Sequence, residues 1–182
     1  WSYLEPEEGR FNWALVDSAM QRWVTKGKQV AFRFTASEGR ASEAYATPRW
    51  VEQAGAEGYH LKRAGQIHPD GPVWEPDFDD PIFLAKLDRF LAAAAARYDG
   101  DPDIAFIDVG SFGVWGEGHT IASTRIPYSA ATIRRHIDLH RKHFKRTLLV
   151  ANDDFALQGR GLETLGYARD QGLALRDDSI LV

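Results

Sequence analysis

The chain has 182 residues, 44% of them hydrophobic, enough for one domain with a sizeable core and unlike a disordered chain. Its formal net charge is -4 and no long basic run appears, which argues against a nucleic-acid partner held by phosphate contacts. There is no cysteine, so disulfides and thiolate metal sites are excluded, and no apolar run approaches the ~20 residues of a membrane helix.

Residues 1–10, WSYLEPEEGR, read as a loop punctuated by Pro6 and Gly9. Asn12 is placed to cap a helix that starts at Trp13 and ends before Gly27, with Val16, Ala19, Met20 and Trp23 on one face. Gln29–Ala36 alternates Val30, Phe32 and Phe34 with Ala31 and Arg33 and predicts a strand buried on both sides. Thr47 and Pro48 open a short helix. The stretch HPDGPVWEPDFDDP is turn-rich and reads as surface loop, with a short strand near residues 65–67.

Asp79 or Asp80 then caps a helix over Pro81–Tyr98, whose buried stripe is Phe83, Leu87, Phe90, Leu91, Ala94 and Tyr98. Ile104–Gly110 is a second strand, followed by the loop SFGVWGEGHT. Ser129 caps a helix to about Phe144, and residues 147–153 form a third strand. LETLGYARDQG is a helix stopped by Gly172, and LALRDD begins a fourth strand. Helices that alternate with strands imply a parallel sheet with covering helices. No G-x-G-x-x-G or Walker A sequence follows any strand, which favours a (β/α) barrel over a nucleotide-binding sheet.

A barrel gathers its chemistry at the C-terminal ends of its strands. That rule selects Arg33 and Glu38; Asp108, Trp115, Glu117 and His119; Asn152, Asp153 and Asp154; and Arg176, Asp177 and Asp178. Each has a plainer reading. Arg33 in a strand needs a paired charge. Asp153 or Asp154 can cap a turn, and Asp177 and Asp178 can do the same. Asp108 alternates with Ile107 and Val109 and so faces away from their side of the strand. Glu117 has a glycine on either side, which permits unusual backbone angles and close approach of a ligand. With six tryptophans, most are expected in the core, while Trp115 can stack on a sugar ring. His136, His140 and His143 share a helix face at i, i+4 and i+7. Without H-E-x-x-H, and with Arg135, Arg141 and Lys142 nearby, they read as a solvated basic face. A Ser-His-Asp hydrolase lacks its G-x-S-x-G elbow.

WSYLEPEEGRFNWALVDSAM resembles the segment after the first strand of retaining barrel glycoside hydrolases, especially the family 42 β-galactosidase type, with Asp17 at the family's aspartate. ATPRWV resembles that family's proline–tryptophan stretch, and FLAAAAARYDGDPDIAFIDVG its helix, R-Y-x-x-x-P turn and fourth strand. GVWGEGH resembles a group of glycosidase-like barrels with a G-x-W-G-E-x-H segment. The resemblance implies an α/β fold, an incomplete (β/α)8 TIM barrel covering about strands 2 to 6, as a single domain over residues 1–182. It also implies that the first strand precedes Trp1, and that missing barrel segments or partner chains cover the open edges.

The implied reaction is a retaining two-carboxylate hydrolysis of O-glycosidic bonds in a carbohydrate substrate, without cofactor or metal and without nucleic-acid or membrane partners. Glu117 is the expected acid/base, and that role requires a raised pKa. Arg33 supports the nucleophile; His119, Asn152 and Asp153 bind hydroxyls; Trp115 stacks on a ring. Two departures stand out. The family's acid position, usually in an Asn-Glu pair, falls near Phe112 and not at Glu117. The nucleophile, at the end of a seventh strand, is expected outside this chain. Two alternatives remain: a non-catalytic carbohydrate-binding barrel, and a metal-dependent hydrolase using His119 with Asp153 or Asp154.

Overall fold

A computed structural model describes residues 1–39 and 44–177. In chain order the elements are α1 (Ala14–Val24), β1 (Val30–Arg33), α2 (Arg49–Gln53), β2 (Gly58–Arg63), β3 (Gln66–Ile67), β4 (Val73–Pro76), α3 (Pro81–Tyr98), β5 (Ile104–Asp108), α4 (Ala130–His143), β6 (Leu149–Asn152), a 3-10 turn (Asp153–Ala156), α5 (Glu163–Asp170) and β7 (Ala174–Arg176). Strands β1, β5, β6 and β7 pair in that order, all parallel. Each connection between neighbouring strands passes through at least one helix, as parallel pairing requires.

The sheet packs one face under the helices. Ile104, Ile107, Val109, Leu149, Ala151 and Leu173 meet Phe83, Leu87, Phe90, Leu91 and Ala94 of α3 and Ile133 and Ile137 of α4, all in one core. Each of the valine, leucine, isoleucine and phenylalanine side chains contributes about 1.5–3 kcal/mol by leaving water. Helix α3 begins where its sequence says it should: Asp80 Oδ1 accepts from Phe83 N at 2.7 Å, with Pro81 in the first turn. The other face of the sheet is more open. Ala31 is exposed between the half-buried Val30 and Phe32, so β1 is not buried on both sides.

The N-terminal motif is a structural device. Trp1 Nε1 donates to Glu5 Oε2 at 2.7 Å and Gly9 N donates to Glu5 Oε1 at 2.8 Å, so a buried carboxylate closes the loop on itself. Asp17 on α1 accepts from the Tyr98 hydroxyl at 3.0 Å and pairs with Arg97, fastening α1 to the end of α3. Of the tryptophans, Trp1 and Trp74 are buried, Trp13 and Trp50 pack on the core, and Trp23 is 55% exposed. Trp23 therefore leaves the stripe expected for α1, and Asn12 makes no side-chain cap; the cap position is Trp13.

Strand β3 falls at the short strand expected near residues 65–67, while the segment expected as surface loop contains a further strand, β4. Strands β2, β3 and β4 form a separate antiparallel sheet in the order β3-β2-β4, and all four residues of β4 are buried. Among the described residues no parallel strand stands between β1 and β5, which pair directly from Val30 with Ile104 to Arg33 with Asp108. Proline and aspartate clusters mark turns, but here they flank a short strand whose Val73 and Trp74 are buried. Among the described residues, no helix is long and apolar enough to cross a membrane.

Candidate active site

Strand β5 delivers the chain into a tightly folded loop. Val114 N donates to His119 O at 2.9 Å, and Gly118 N donates to Phe112 O at 3.2 Å. The loop is tied to the segment after β1 by Trp115 N, which donates to Ser37 O at 2.7 Å. Trp115 takes a left-handed φ of 58°, which is uncommon for any side chain but glycine. Gly118 explains why this loop needs glycine. Its φ is +92°, and a Cβ there would fall 2.1 Å from Phe155 Cδ1. Arg160 pins the far side. Its guanidinium is buried and donates to the carbonyls of Phe155 (2.8 Å), Asp154 (3.1 Å) and Gly118, and burial lowers its pKa to about 10.

A row of charges runs along the strand ends. Arg33 Nε lies 3.4 Å from Asp108 Oδ2, and Arg176 Nη2 lies 3.3 Å from the same oxygen. Asp108 thus bridges the arginines at the ends of β1 and β7. Arg33 Nη1 donates to Trp115 O at 3.0 Å and stands 3.9 Å from Glu117 Oε1. His119 Nε2 is 3.8 Å from Glu117 Oε2 and 3.5 Å from Asp154 Oδ2. One ligand atom from each of Glu117, His119 and Asp154 lies within 4.8 Å of the others.

The proton on His119 can be placed from its partners. Ile121 N donates to Nδ1 at 3.2 Å, so Nδ1 carries a lone pair and the neutral ring carries its hydrogen on Nε2, facing the two carboxylates. A metal at Nε2 needs the opposite tautomer. These three residues therefore fit two carboxylates gathered around an Nε2–H better than a metal site.

Of the residues expected to act, Arg33, Trp115, Glu117 and His119 come together, with the Trp115 ring edge-on to His119 at 6.1 Å. Asn152 and Asp153 are placed differently. The buried Asn152 caps the 3-10 turn, its Oδ1 accepting from Asp154 N at 2.9 Å, so neither aspartate is the cap. Asp154, and not Asp153, reaches His119. Glu38 accepts from Thr35 Oγ1 at 2.8 Å, and Asp178 lies outside the described residues. Asp108 and Arg176 belong to the charge row; strand alternation pointed to the first, and position at a strand end to the second.

The histidines of α4 do not form a solvated face. His136 and His140 are fully buried, and only His143, paired with Asp88 at 2.7 Å, touches solvent. His136 Nε2 bonds Phe78 O at 3.0 Å and Nδ1 bonds Ser111 Oγ at 2.7 Å. Burial pushes both ring pKa values down to about 4.

The family profile described as Beta-galactosidase (glycoside hydrolase family 42) matches residues 1–111, and the chain belongs to that family. The match ends at Ser111, before the loop that carries Glu117. No curated protein sequence matches the chain. Its fold is similar to that of the beta-galactosidase from the psychrophilic Marinomonas ef1, with TM-score 0.53 and 14% identity over 83% of this chain and 31% of that one. It is also similar to the beta-galactosidase of the Antarctic haloarchaeon Halorubrum lacusprofundi, with TM-score 0.53 and 15% identity over 83% and 30%. Xylanase B from Clostridium stercorarium F9 matches with TM-score 0.52 and 17% identity over 98% and 51%. The chain thus spans about a third to a half of the length of these barrel enzymes.

Proposed function

Starting from that family membership, we propose that this chain carries the acid/base half of a retaining glycosidase, with Glu117 as the proton donor and β-galactoside-like sugars as substrate. The observation that supports this most is the placement of the Glu117 carboxyl. It lies between Arg33 and His119, at the C-terminal ends of parallel strands, where barrel enzymes keep their chemistry.

In this reading the Glu117 carboxylic acid protonates the departing glycosidic oxygen as a second carboxylate attacks the sugar carbon, forming a glycosyl ester and releasing the alcohol. Water then attacks the same sugar carbon, Glu117, now ionised, takes its proton, and the bond from that carbon to the second carboxylate breaks, releasing the sugar and returning both carboxyl groups to their starting state. The attacking carboxylate comes from the barrel's seventh strand, outside these residues. Glu117 and Asp154 both approach His119 Nε2, and Arg33 stands 3.9 Å from Glu117 Oε1. His119, with Nε2–H toward both carboxylates, orients the acid. Trp115, half-buried beside His119, offers its ring to a sugar face. Asn152 places Asp154 through its Oδ1 cap, and Asn152 and Asp153 bind sugar hydroxyls at the end of β6.

The test is hydrolysis of aryl β-galactosides by the full-length protein and by its Glu117→Gln variant. Loss of an acid/base should lower kcat by about 10²–10⁴-fold, least for substrates whose leaving group needs no proton. Equal rates for the two proteins remove Glu117 from the role. A binding barrel without catalysis is the second reading, favoured by the lack of an Asn-Glu pair in this loop. It predicts calorimetric binding of galactosides with no turnover.

A further inference from the structure

We propose that Glu75 is a positioning residue for the acid/base loop, acting from the antiparallel sheet through Ser37 and the Trp115 peptide. The inference deepens the proposed function and rests on it for its kinetic readout. Glu75, on β4, is fully buried, an expensive place for a carboxyl group. Among the described residues no Lys, Arg or His forms an ion pair with it; its partners are hydroxyl groups and the backbone amide of Thr124. Ser37 Oγ donates to Oε2 at 2.5 Å and Thr124 Oγ1 donates to Oε1 at 2.7 Å. Burial raises its pKa and these hydrogen bonds only partly oppose that, so the group stands apart from the surface carboxylates of the chain.

The two hydroxyl partners lie in the segments that frame the site. Ser37 follows β1, and Thr124 follows His119 in the loop after β5. One carboxyl group therefore clamps the segments after both strands. From Ser37 the contacts lead to the acid. Ser37 O accepts from Trp115 N at 2.7 Å, and residues 37 and 114 form an isolated parallel bridge. Trp115 O accepts from Arg33 Nη1 at 3.0 Å, and that nitrogen is 3.9 Å from Glu117 Oε1. The left-handed turn at Trp115 costs energy that its neighbours must repay, and the Ser37 carbonyl is the partner that holds its N–H. Removing the clamp leaves Ser37 without its side-chain anchor and lets that turn relax. The guanidinium and the acid then lose their fixed relation, and a small misplacement of a catalytic group costs rate more than binding.

The experiment compares Glu75→Ala, Glu75→Gln and Ser37→Ala in the full-length protein. One readout is backbone amide exchange over residues 113–119; the other is kcat and KM on an aryl β-galactoside. Glu75→Ala and Ser37→Ala should speed exchange over 113–119 by about tenfold or more, since those amides are held by local bonds that the clamp protects. They should also lower kcat by about five- to tenfold with KM within about twofold. Glu75→Gln keeps the size and one carbonyl acceptor, and should restore both readouts to within about threefold of wild type. Effects on exchange confined to residues 73–76 and 122–125, or wild-type exchange over 113–119 in Ser37→Ala, would overturn the proposal. If Glu75→Ala does not fold, Ser37→Ala and Glu75→Gln decide it. An inactive wild-type protein would count against Glu117 as the acid, while the exchange data would still decide on Glu75.

Discussion

Ser111 Oγ and His136 Nδ1 stand 2.7 Å apart, both buried, at the point where β5 gives way to the loop of Glu117. The bond needs His136 with a lone pair on Nδ1, because Nε2 faces the Phe78 carbonyl. Protonating this ring would turn Nδ1 into a donor to Ser111 Oγ and place a positive charge in the core, which burial opposes. The fold thus depends on a histidine that stays neutral.

Stability should fall in mild acid for that reason. His136 and His140 have folded pKa values of about 4, set first by burial, against 6.5 in an unfolded chain. Between pH 6.5 and 4 the unfolded chain binds up to two protons that the folded chain refuses. Their contribution is therefore full above pH 6.5 and is lost as pH falls, by up to about 1.4 kcal/mol per pH unit for each histidine. Glu75 works the other way: its raised folded pKa favours the fold at low pH and costs stability as pH rises. Urea unfolding at pH 7.5, 6 and 5 should show a falling midpoint, and Glu75→Gln should steepen the fall. A midpoint that does not move between pH 7.5 and 5 refutes the neutral-histidine account.

Gly118→Ala should damage the site as well as the fold. The new methyl meets Phe155 at 2.1 Å, and the φ of +92° is strained for alanine. Gly159→Ala is the control, because its φ of +82° is also strained while nothing lies within 4 Å of the new carbon. The control should lose about 1–2 kcal/mol from backbone strain alone. Gly118→Ala should lose more, by an overpacking cost of about 1–3 kcal/mol. Thermal unfolding of the two variants side by side checks this; equal losses would mean that Phe155 simply moves aside.

Asp108 should prove coupled to both arginines. Its carboxylate lies 3.4 Å from Arg33 and 3.3 Å from Arg176, so neutralising it removes the negative charge that both cations share. Asp108→Asn should destabilise the protein by about 2–4 kcal/mol, as breaking a largely buried pair does. Combining it with Arg33→Met should recover about 1 kcal/mol or more of that loss. A double-mutant cycle by urea unfolding measures the coupling, and strict additivity would show that the pair contributes nothing.

A chelator should leave glycosidase activity unchanged. The Ile121 amide on His119 Nδ1 keeps the Nε2 hydrogen between Glu117 and Asp154, where an ion would need a lone pair. Activity before and after dialysis against a strong chelator should agree within about twofold. A loss reversed by adding a divalent ion would favour the metal-dependent alternative.

Much of the architecture was legible in local patterns. The stripe and the Asp80 cap of α3 follow from apolar spacing and a side chain that can accept from the third amide of the helix. The same holds for the alternation of helices and parallel strands, and for the glycines around Glu117, since these are properties of short segments. Arg33 needed a paired charge, and the structure supplies Asp108.

Local patterns therefore fix the alternation of the main helices with the parallel strands, the strand ends where the polar residues gather and the turn that presents Glu117. Tertiary structure alone decided that His136 and His140 are core residues, that Val73–Pro76 is a buried strand, and that Asp154 meets His119. The reason is common to all three. A histidine, a glutamate or an aspartate is buried or solvated according to whether polar partners await it, and the partners here lie far along the chain: Ser111 and Phe78 for His136, Ser37 and Thr124 for Glu75, His119 for Asp154.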